Sequence, residues 1–126
     1  MPSDALRPAR VLLVEDELPV RAGIAALLEI EPDLELVGTA ATAEEAMDLV
    51  TRLVPDVVLL DNALDGEMTG VQAAPAFKLR APAVVVLMCT ADPGDLATQD
   101  PAIDGCLCKD RLDVLPEVTR QLLGRA

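Results

Sequence analysis

Apolar runs that end in carboxylates are the feature that most constrains what this chain can fold into. The run VLLV, residues 11–14, is followed directly by Glu15, Asp16 and Glu17, and the run VVLL, residues 57–60, is followed by Asp61. Short continuous apolar runs bounded by polar residues are typical of strands buried on both faces of a parallel sheet. The carboxyl ends of such strands border the crevice in which open α/β sheets bind their ligands.

Helical patterns alternate with these runs along the chain. Val20, Ile24, Leu27 and Leu28 form one apolar stripe, and Thr42 with Glu45 has the spacing of a capping box. Strands are predicted at 10–14, 34–37, 56–60, 83–88 and 105–108, and helices at 18–30, from Thr42 to about 53, at 71–80, 95–99 and 111–123. Pro82 is predicted to open the fourth strand, and Pro75 predicts that the third helix is short or kinked.

Five rounds of strand and helix predict an α/β fold, a five-stranded parallel doubly wound sheet with helices on both faces. Its fourth helix is expected to be short or irregular, because Pro93, Gly94 and Pro101 interrupt that stretch. We expect a flexible leader at residues 1–9 and one domain at residues 10–124.

Composition excludes several classes of function. The formal net charge is −12 with no basic stripe, so this segment is not expected to bind nucleic acid. The three cysteines, Cys89, Cys106 and Cys108, are odd in number and the chain has no histidine, which argues against a disulfide framework and a zinc site. Reduced thiols, the absence of a membrane-spanning run and a start without a signal peptide predict a cytoplasmic protein.

Polar residues follow four of the predicted strands at one edge of the sheet: Glu15 and Asp16, Asp61, Thr90, and Lys109. Clustered carboxylates repel each other, and a hard cation such as Mg²⁺ relieves that repulsion. The set suits phosphoryl transfer to a carboxylate. Asp61 would be the nucleophile, Thr90 would donate a hydrogen bond to a phosphoryl oxygen, and Lys109 would supply positive charge.

The segments VLLVEDE, VRAGIAALLEIEPDLELVG, PDVVLLD and CKD resemble the receiver domain of bacterial two-component response regulators over residues 10–123. The resemblance is greatest to the subgroup that often carries a helix-turn-helix output domain. It implies a flavodoxin-like sheet of strand order 2-1-3-4-5. It also implies Mg²⁺, with Mn²⁺ as an alternative, ligated by Asp16, Asp61 and the backbone carbonyl of Ala63, with Glu15 acting through water.

The resemblance further implies the partners and the chemistry. Asp61 would be the phosphoacceptor, Thr90 the switch hydroxyl and Lys109 the charge partner of the phosphoryl group. The donor would be a sensor histidine kinase or a phosphotransfer protein, a homodimer is allowed, and transcription would be controlled through an output domain outside this chain. The domain would catalyse its own phosphorylation and dephosphorylation without being a turnover enzyme.

Four departures from the family pattern leave an alternative open. Asn62 replaces the usual apolar residue, the loop 64–70 lacks the usual proline and is about one residue longer, the interval from Thr90 to Lys109 is short, and Cys106 stands at the aromatic switch position. The weakened fourth helix and Cys106 suit a pseudo-receiver, a protein-interaction module that is switched without phosphorylation. The intact set of five site residues fits that alternative less well. Flavodoxin fits less well, because three acids occupy its phosphate loop. A dehalogenase-type phosphatase also fits less well, because Ala63 stands where its second aspartate would be.

Overall fold

The structure is a computed structural model that describes residues 7–92, 94 and 99–125. Five parallel strands form one sheet in the order β2-β1-β3-β4-β5. They are β1 (Ala9–Val14), β2 (Leu34–Ala40), β3 (Val57–Leu60), β4 (Val85–Thr90) and β5 (Gly105–Cys108). The helices that lie wholly within the described residues are α1 (Leu18–Glu29), α2 (Ala43–Leu53), α3 (Gly70–Arg80) and the C-terminal α4 (Leu115–Leu122), which is preceded by a 3-10 segment, Lys109–Val114. The predicted doubly wound sheet and its strand order are confirmed.

Each face of the sheet carries its own hydrophobic core. On one face, Leu12 and Val14 of β1 pack with residues of α2 and α3 such as Val50 and Phe77. On the other face, the intervening residues of β1 pack with α1 and α4, whose contributions are Ile24, Leu28 and Leu115. Both faces of β3 are fully buried, which is why its sequence is an unbroken apolar run.

Two strand boundaries differ from the prediction, one of them at a proline. Pro82 was expected to open β4, but Pro82 and Ala83 lie in a turn and the strand begins at Val85. That turn is closed by the Val84 N–H, which donates to the Ala81 carbonyl. β2 runs three residues past its predicted end, to Ala40, with a register shift against β1 between Val11 and Leu12.

The third helix was expected to be short or kinked, yet it spans eleven residues with Pro75 inside it. The N-terminus of this helix is well capped. Thr69 accepts a hydrogen bond from the Gln72 N–H, and the Gln72 side chain accepts one from the Thr69 N–H, so that a full capping box is formed. A capping box was also predicted at Thr42, but only half of it forms: Thr42 accepts from the Glu45 N–H, whereas the Glu45 side chain accepts from the Ala41 N–H instead of the Thr42 N–H.

The C-terminal helix begins later than predicted. Residues from Lys109 to Val114 form the 3-10 segment, which is interrupted by non-helical dihedrals at Arg111 (φ −121°, ψ 36°), and α4 proper starts at Leu115 with Pro116 in its first turn. Proline is tolerated there because its missing N–H would have had no helical partner. The predicted helix at 95–99 lies outside the described residues, apart from Gln99. No helix in the described ranges has the length and hydropathy needed to span a membrane.

Arg120 of α4 ties the C-terminal helix to the turn between α1 and β2. Its guanidinium donates to both carboxylate oxygens of Asp33, at 2.7 and 2.9 Å, and to Glu31 at 2.7 Å. The hydrogen bond from Arg120 lowers the pKa of Asp33 below its usual value. This contact joins residues 87 positions apart in sequence.

Arg120→Ala should lower the free energy of unfolding by about 1 kcal/mol at neutral pH. Because the folded-state pKa of Asp33 is depressed, the stabilisation is present above its unfolded pKa of about 3.9 and is lost as the pH falls through the folded value. The deficit of the variant should therefore shrink in acid, as measured by urea unfolding at several pH values. Arg111→Ala, which removes an exposed pair with Asp113, is the control and should change little.

Candidate functional site

Strand register brings the predicted site residues to one edge of the sheet. Val14 of β1 pairs with Leu60 of β3, so the residues that follow them, Glu15 and Asp61, emerge at the same level. The Asp61 N–H donates to the Val14 carbonyl, and the Glu15 N–H donates to the Ala40 carbonyl at the end of β2. The parallel ladder therefore continues into the site and fixes the backbone of both acids.

Lys109 is the charge centre of this site. Its Nζ lies 2.8 Å from Glu15 Oε1 and 3.0 Å from Asp61 Oδ2, and 3.9 Å from Glu17 Oε1. The side chains of Glu15 and Asp61 are only 1% and 3% exposed. Ion pairs are weakly screened at such burial, so this ammonium group holds two nearly dehydrated carboxylates together.

Burial and pairing act in opposite directions on these groups. Burial raises the pKa of Glu15, although its hydrogen bonds with Lys109 and with the Glu17 N–H oppose the rise. Burial alone would lower the pKa of Lys109, but the hydrogen bonds to Glu15 and Asp61 outweigh it and the pKa of Lys109 is raised. Lys109 therefore stays protonated and positively charged at neutral pH.

The acidic cluster also fits a cation. Glu15, Asp16, Glu17 and Asp61 each place a carboxylate oxygen within 4.8 Å of the others. Among the described residues, Asp16 Oδ1 is a buried side-chain oxygen without a hydrogen-bond partner. A buried acceptor with no donor is costly, and a divalent cation would satisfy it together with its neighbours. The donor set is all carboxylate oxygen, which suits Mg²⁺ or Mn²⁺.

Thr90 and Ala63 lie at the same edge of the sheet but do not take part in the ion pairs. Thr90 is the last residue of β4, 6% exposed, and pairs in register with Cys108, the residue before Lys109. The Ala63 N–H donates to Asp61 Oδ1 at 3.3 Å. Asp61 thus has one carboxylate oxygen on the Lys109 ammonium and the other on a backbone N–H.

Arg21 contributes to the site although the sequence had not singled it out, and Glu17, the last of the three acids after the first apolar run, contributes although it was not among the predicted metal ligands. Arg21, one turn into α1, donates from Nε and Nη2 to the Glu15 carbonyl, at 3.1 and 2.8 Å. Glu17 joins the carboxylate cluster although its side chain is 65% exposed. The spacing from Glu15 to Arg21 gives no recognisable motif, since the contact depends on how α1 leaves β1.

The loop after Asp61 is attached to the rest of the domain at several points. Asp65 forms an isolated bridge with Thr42, at the start of α2. Gly70, the first residue of α3, presses against the chain that leaves β3: a Cβ on it would overlap the Asp61 carbonyl oxygen and lie 3.0 Å from Asn62 Cα. Only glycine fits at that close approach.

The three cysteines are free thiols, as expected. Burial raises the pKa of Cys89 to about 12, and it raises the pKa of Cys106 as well. Cys106, at the position where the family pattern has an aromatic ring, packs against the core that contains Phe77. Cys108 donates weakly to the Ala91 carbonyl, with 3.4 Å between Sγ and oxygen. The thiols of Cys89 and Cys106 are therefore protonated at neutral pH.

Two bacterial regulatory proteins are similar to this chain in sequence. The transcriptional regulatory protein LiaR of Bacillus subtilis is 41% identical over 80 residues, which cover 62% of this chain and 37% of LiaR. The response regulator protein VraR of Staphylococcus aureus is 40% identical over 81 residues, or 64% of this chain and 38% of VraR. The chain thus spans less than two-fifths of the length of these relatives.

Solved structures superpose on almost the whole of this chain. A two-component response regulator of the LuxR family from Aurantimonas sp. SI85-9A1 superposes with a TM-score of 0.80 at 30% identity, covering 94% of this chain and 87% of that one. The signal receiver domain of the response regulator NarL from Mycobacterium tuberculosis gives a TM-score of 0.81 at 29% identity, covering 94% and 99%. The family model described as "Response regulator receiver domain" matches residues 11–111, and the chain belongs to that family.

Proposed function

We propose that this receiver domain accepts a phosphoryl group on Asp61 in a Mg²⁺-dependent reaction, as part of a phosphorelay that begins at a sensor histidine kinase. The observation that carries the proposal is the contact set of Asp61. Its carboxylate is buried, held by Lys109 at 3.0 Å, and shares a cluster with Asp16, which has an unpartnered oxygen. A purely structural aspartate would need no such neighbours.

Asp16, Asp61 and the backbone carbonyl of Ala63 would hold the cation, with Glu15 acting through water. When bound, the cation would neutralise charge on the phosphoryl oxygens. Four carboxylates and one ammonium group leave a formal charge of −3 at the site, which would otherwise repel a phosphoryl donor. The donor set therefore suits a reaction that brings one more anion to this edge of the sheet.

In the transfer itself, a carboxylate oxygen of Asp61 attacks phosphorus and forms the new O–P bond. The bond from phosphorus to the donor atom breaks, and the leaving group takes its electron pair. Lys109 stays charged beside the attacking carboxylate, and the Thr90 hydroxyl donates to a phosphoryl oxygen. Hydrolysis by water later regenerates the carboxylate, so that the domain is a switch rather than a turnover enzyme.

The relatives suggest what the switch controls. LiaR is named a transcriptional regulatory protein, and the chain covers only 37% of it. We therefore propose that phosphorylation here regulates transcription through an output domain outside this chain, in the cytoplasm, with a homodimer as one allowed form. The donor is a histidine kinase or a phosphotransfer protein.

Incubation with acetyl phosphate and Mg²⁺ should add one phosphoryl group, which intact-mass spectrometry detects directly. The adduct should be absent in Asp61→Ala and should not form when the divalent cation is chelated. Asp65→Ala, a neighbouring acid on the same loop, is the matched control and should be phosphorylated like the wild type. An adduct that persists in Asp61→Ala would refute Asp61 as the acceptor.

A pseudo-receiver is the second candidate, and Cys106 in place of a switch aromatic is the observation that favours it. A thiol fills less space than a ring and cannot make the same change of position at the surface. The same experiment separates the two candidates, because a pseudo-receiver would bind its partner equally well with and without acetyl phosphate and would gain no mass.

A further inference from the structure

Asn62, the residue directly after Asp61, makes two hydrogen bonds to the start of α3. Its backbone carbonyl accepts from the Gly70 N–H at 3.1 Å, and its side-chain Oδ1 accepts from the Val71 N–H at 3.0 Å. The first N–H groups of a helix have no partner within the helix. Asn62 therefore caps α3 from a distance of eight and nine residues along the chain.

The local cap of the same helix is separate. Thr69 Oγ1 accepts from the Gln72 N–H at 3.2 Å. The three N–H groups from Gly70 to Gln72 are thus all satisfied, the first two by Asn62 and the third by Thr69. An apolar side chain at position 62 would keep the backbone bond to Gly70 and would leave the Val71 N–H without this acceptor.

Asn62 lies between the two residues whose placement matters most for the proposed chemistry. Asp61 precedes it, and Ala63, whose N–H donates to Asp61 Oδ1, follows it. Gly70 packs directly on the Asp61 carbonyl. The hydrogen bond from the Asn62 side chain to the Val71 N–H and the Asp61–Gly70 contact therefore both join the end of β3 to the first turn of α3.

We propose that Asn62 is a positioning residue for the acceptor site: its side chain locks the backbone of residues 61–63 onto the rigid N-terminus of α3. The inference rests on the proposed function of Asp61. The lock replaces the rigidity that a proline would supply to this loop, which here contains no proline between residues 62 and 70. Asn62 touches neither the phosphoryl group nor the cation and acts through its neighbours.

Asn62→Leu should remove the protection of the Val71 amide in hydrogen exchange, measured by NMR without any divalent cation. It should also weaken Mg²⁺ binding in calorimetry and slow acetyl phosphate labelling, by roughly tenfold or more in either quantity, as expected when a group that orients ligands is lost. Asn62→Asp, which keeps an acceptor at the same position, should restore amide protection and most of the labelling rate.

Thr69→Ala is the matched control, because it removes a cap of the same helix without touching the acceptor strand. It should expose the Gln72 amide and leave Mg²⁺ affinity and labelling at wild-type levels. The inference is overturned if Asn62→Leu labels and binds Mg²⁺ like the wild type, if Thr69→Ala slows labelling equally, or if Asn62→Asp restores nothing. A wild type that is never labelled would refute the proposed function instead, and Mg²⁺ affinity with amide exchange would still decide the role of Asn62.

Discussion

Replacing Gly70 by alanine should destabilise the domain by about 2–3 kcal/mol, a large effect for the addition of one methyl group. The new Cβ would overlap the Asp61 carbonyl oxygen and press on Asn62 Cα. Both neighbours are backbone atoms, so neither can rotate away as a side chain would. Relief requires that α3 move off the end of β3, which also displaces Asp61. Urea unfolding followed by far-ultraviolet circular dichroism measures the loss.

Gly23→Ala is the control, since it makes the same chemical change in α1. A Cβ on Gly23 meets nothing within 4 Å. Alanine in an open position inside a helix is favoured over glycine by about 0.5–1 kcal/mol, so this variant should be more stable than the wild type. Opposite signs for the two substitutions are the expected result. A Gly70→Ala variant as stable as the wild type would show that α3 does not press on the chain at the end of β3.

Lys109→Met should lower the free energy of unfolding by a comparable amount, because it removes a charge from the site rather than adding volume. Methionine keeps much of the aliphatic length of lysine but lacks the ammonium group. Glu15 and Asp61 would then be buried without their positively charged partner. Removing one partner of a buried ion pair costs about 3–5 kcal/mol. Because Mg²⁺ would bind the folded state alone, saturating Mg²⁺ should return part of the stability, about 2.7 kcal/mol at a hundred times its dissociation constant.

Lys78→Met provides the comparison for Lys109. Lys78 pairs with Asp104 at 2.7 Å, and both side chains are partly exposed, at 27% and 33%. This variant should lose less stability, and Mg²⁺ should stabilise it no more than it stabilises the wild type. If Lys109→Met proves as stable as the wild type in chelator, the ion pairs at the site do not support the fold. Lys109→Met should also retain Mg²⁺ binding, but its structure should not change when the domain is phosphorylated.

Local pattern predicted the sheet well. The runs that became β1 and β3 were the easiest to assign, because a short continuous apolar stretch flanked by polar residues suits a strand buried between two others, which is where both lie. Errors occurred where two local signals competed. Pro82 was predicted to start a strand, whereas it lies in the turn before β4. Pro75 predicted a short or kinked third helix, whereas the capping box at Thr69 starts a helix of full length.

The site was predictable as a set of residues but not as a network of contacts. Strand ends indicated that Glu15, Asp61 and Lys109 would share an edge of the sheet. Which oxygen meets which nitrogen depends on how the chain leaves each strand, and Lys109 lies 94 residues from Glu15. The contributions of Arg21 and Asn62 depend on the exit angles of α1 and α3, which periodicity does not determine.

The irregular dihedrals at Arg111 have a mechanical consequence. Lys109 begins the 3-10 segment, and Arg120, near the other end of the same stretch, is anchored to Asp33 and Glu31. A stretch of chain held at both ends can respond to a displaced ammonium group only by bending between them. Arg111 already breaks the helical path there, so a displacement of the Lys109 ammonium group would be taken up at Arg111 before it reached the C-terminal helix, which Arg120 holds in place.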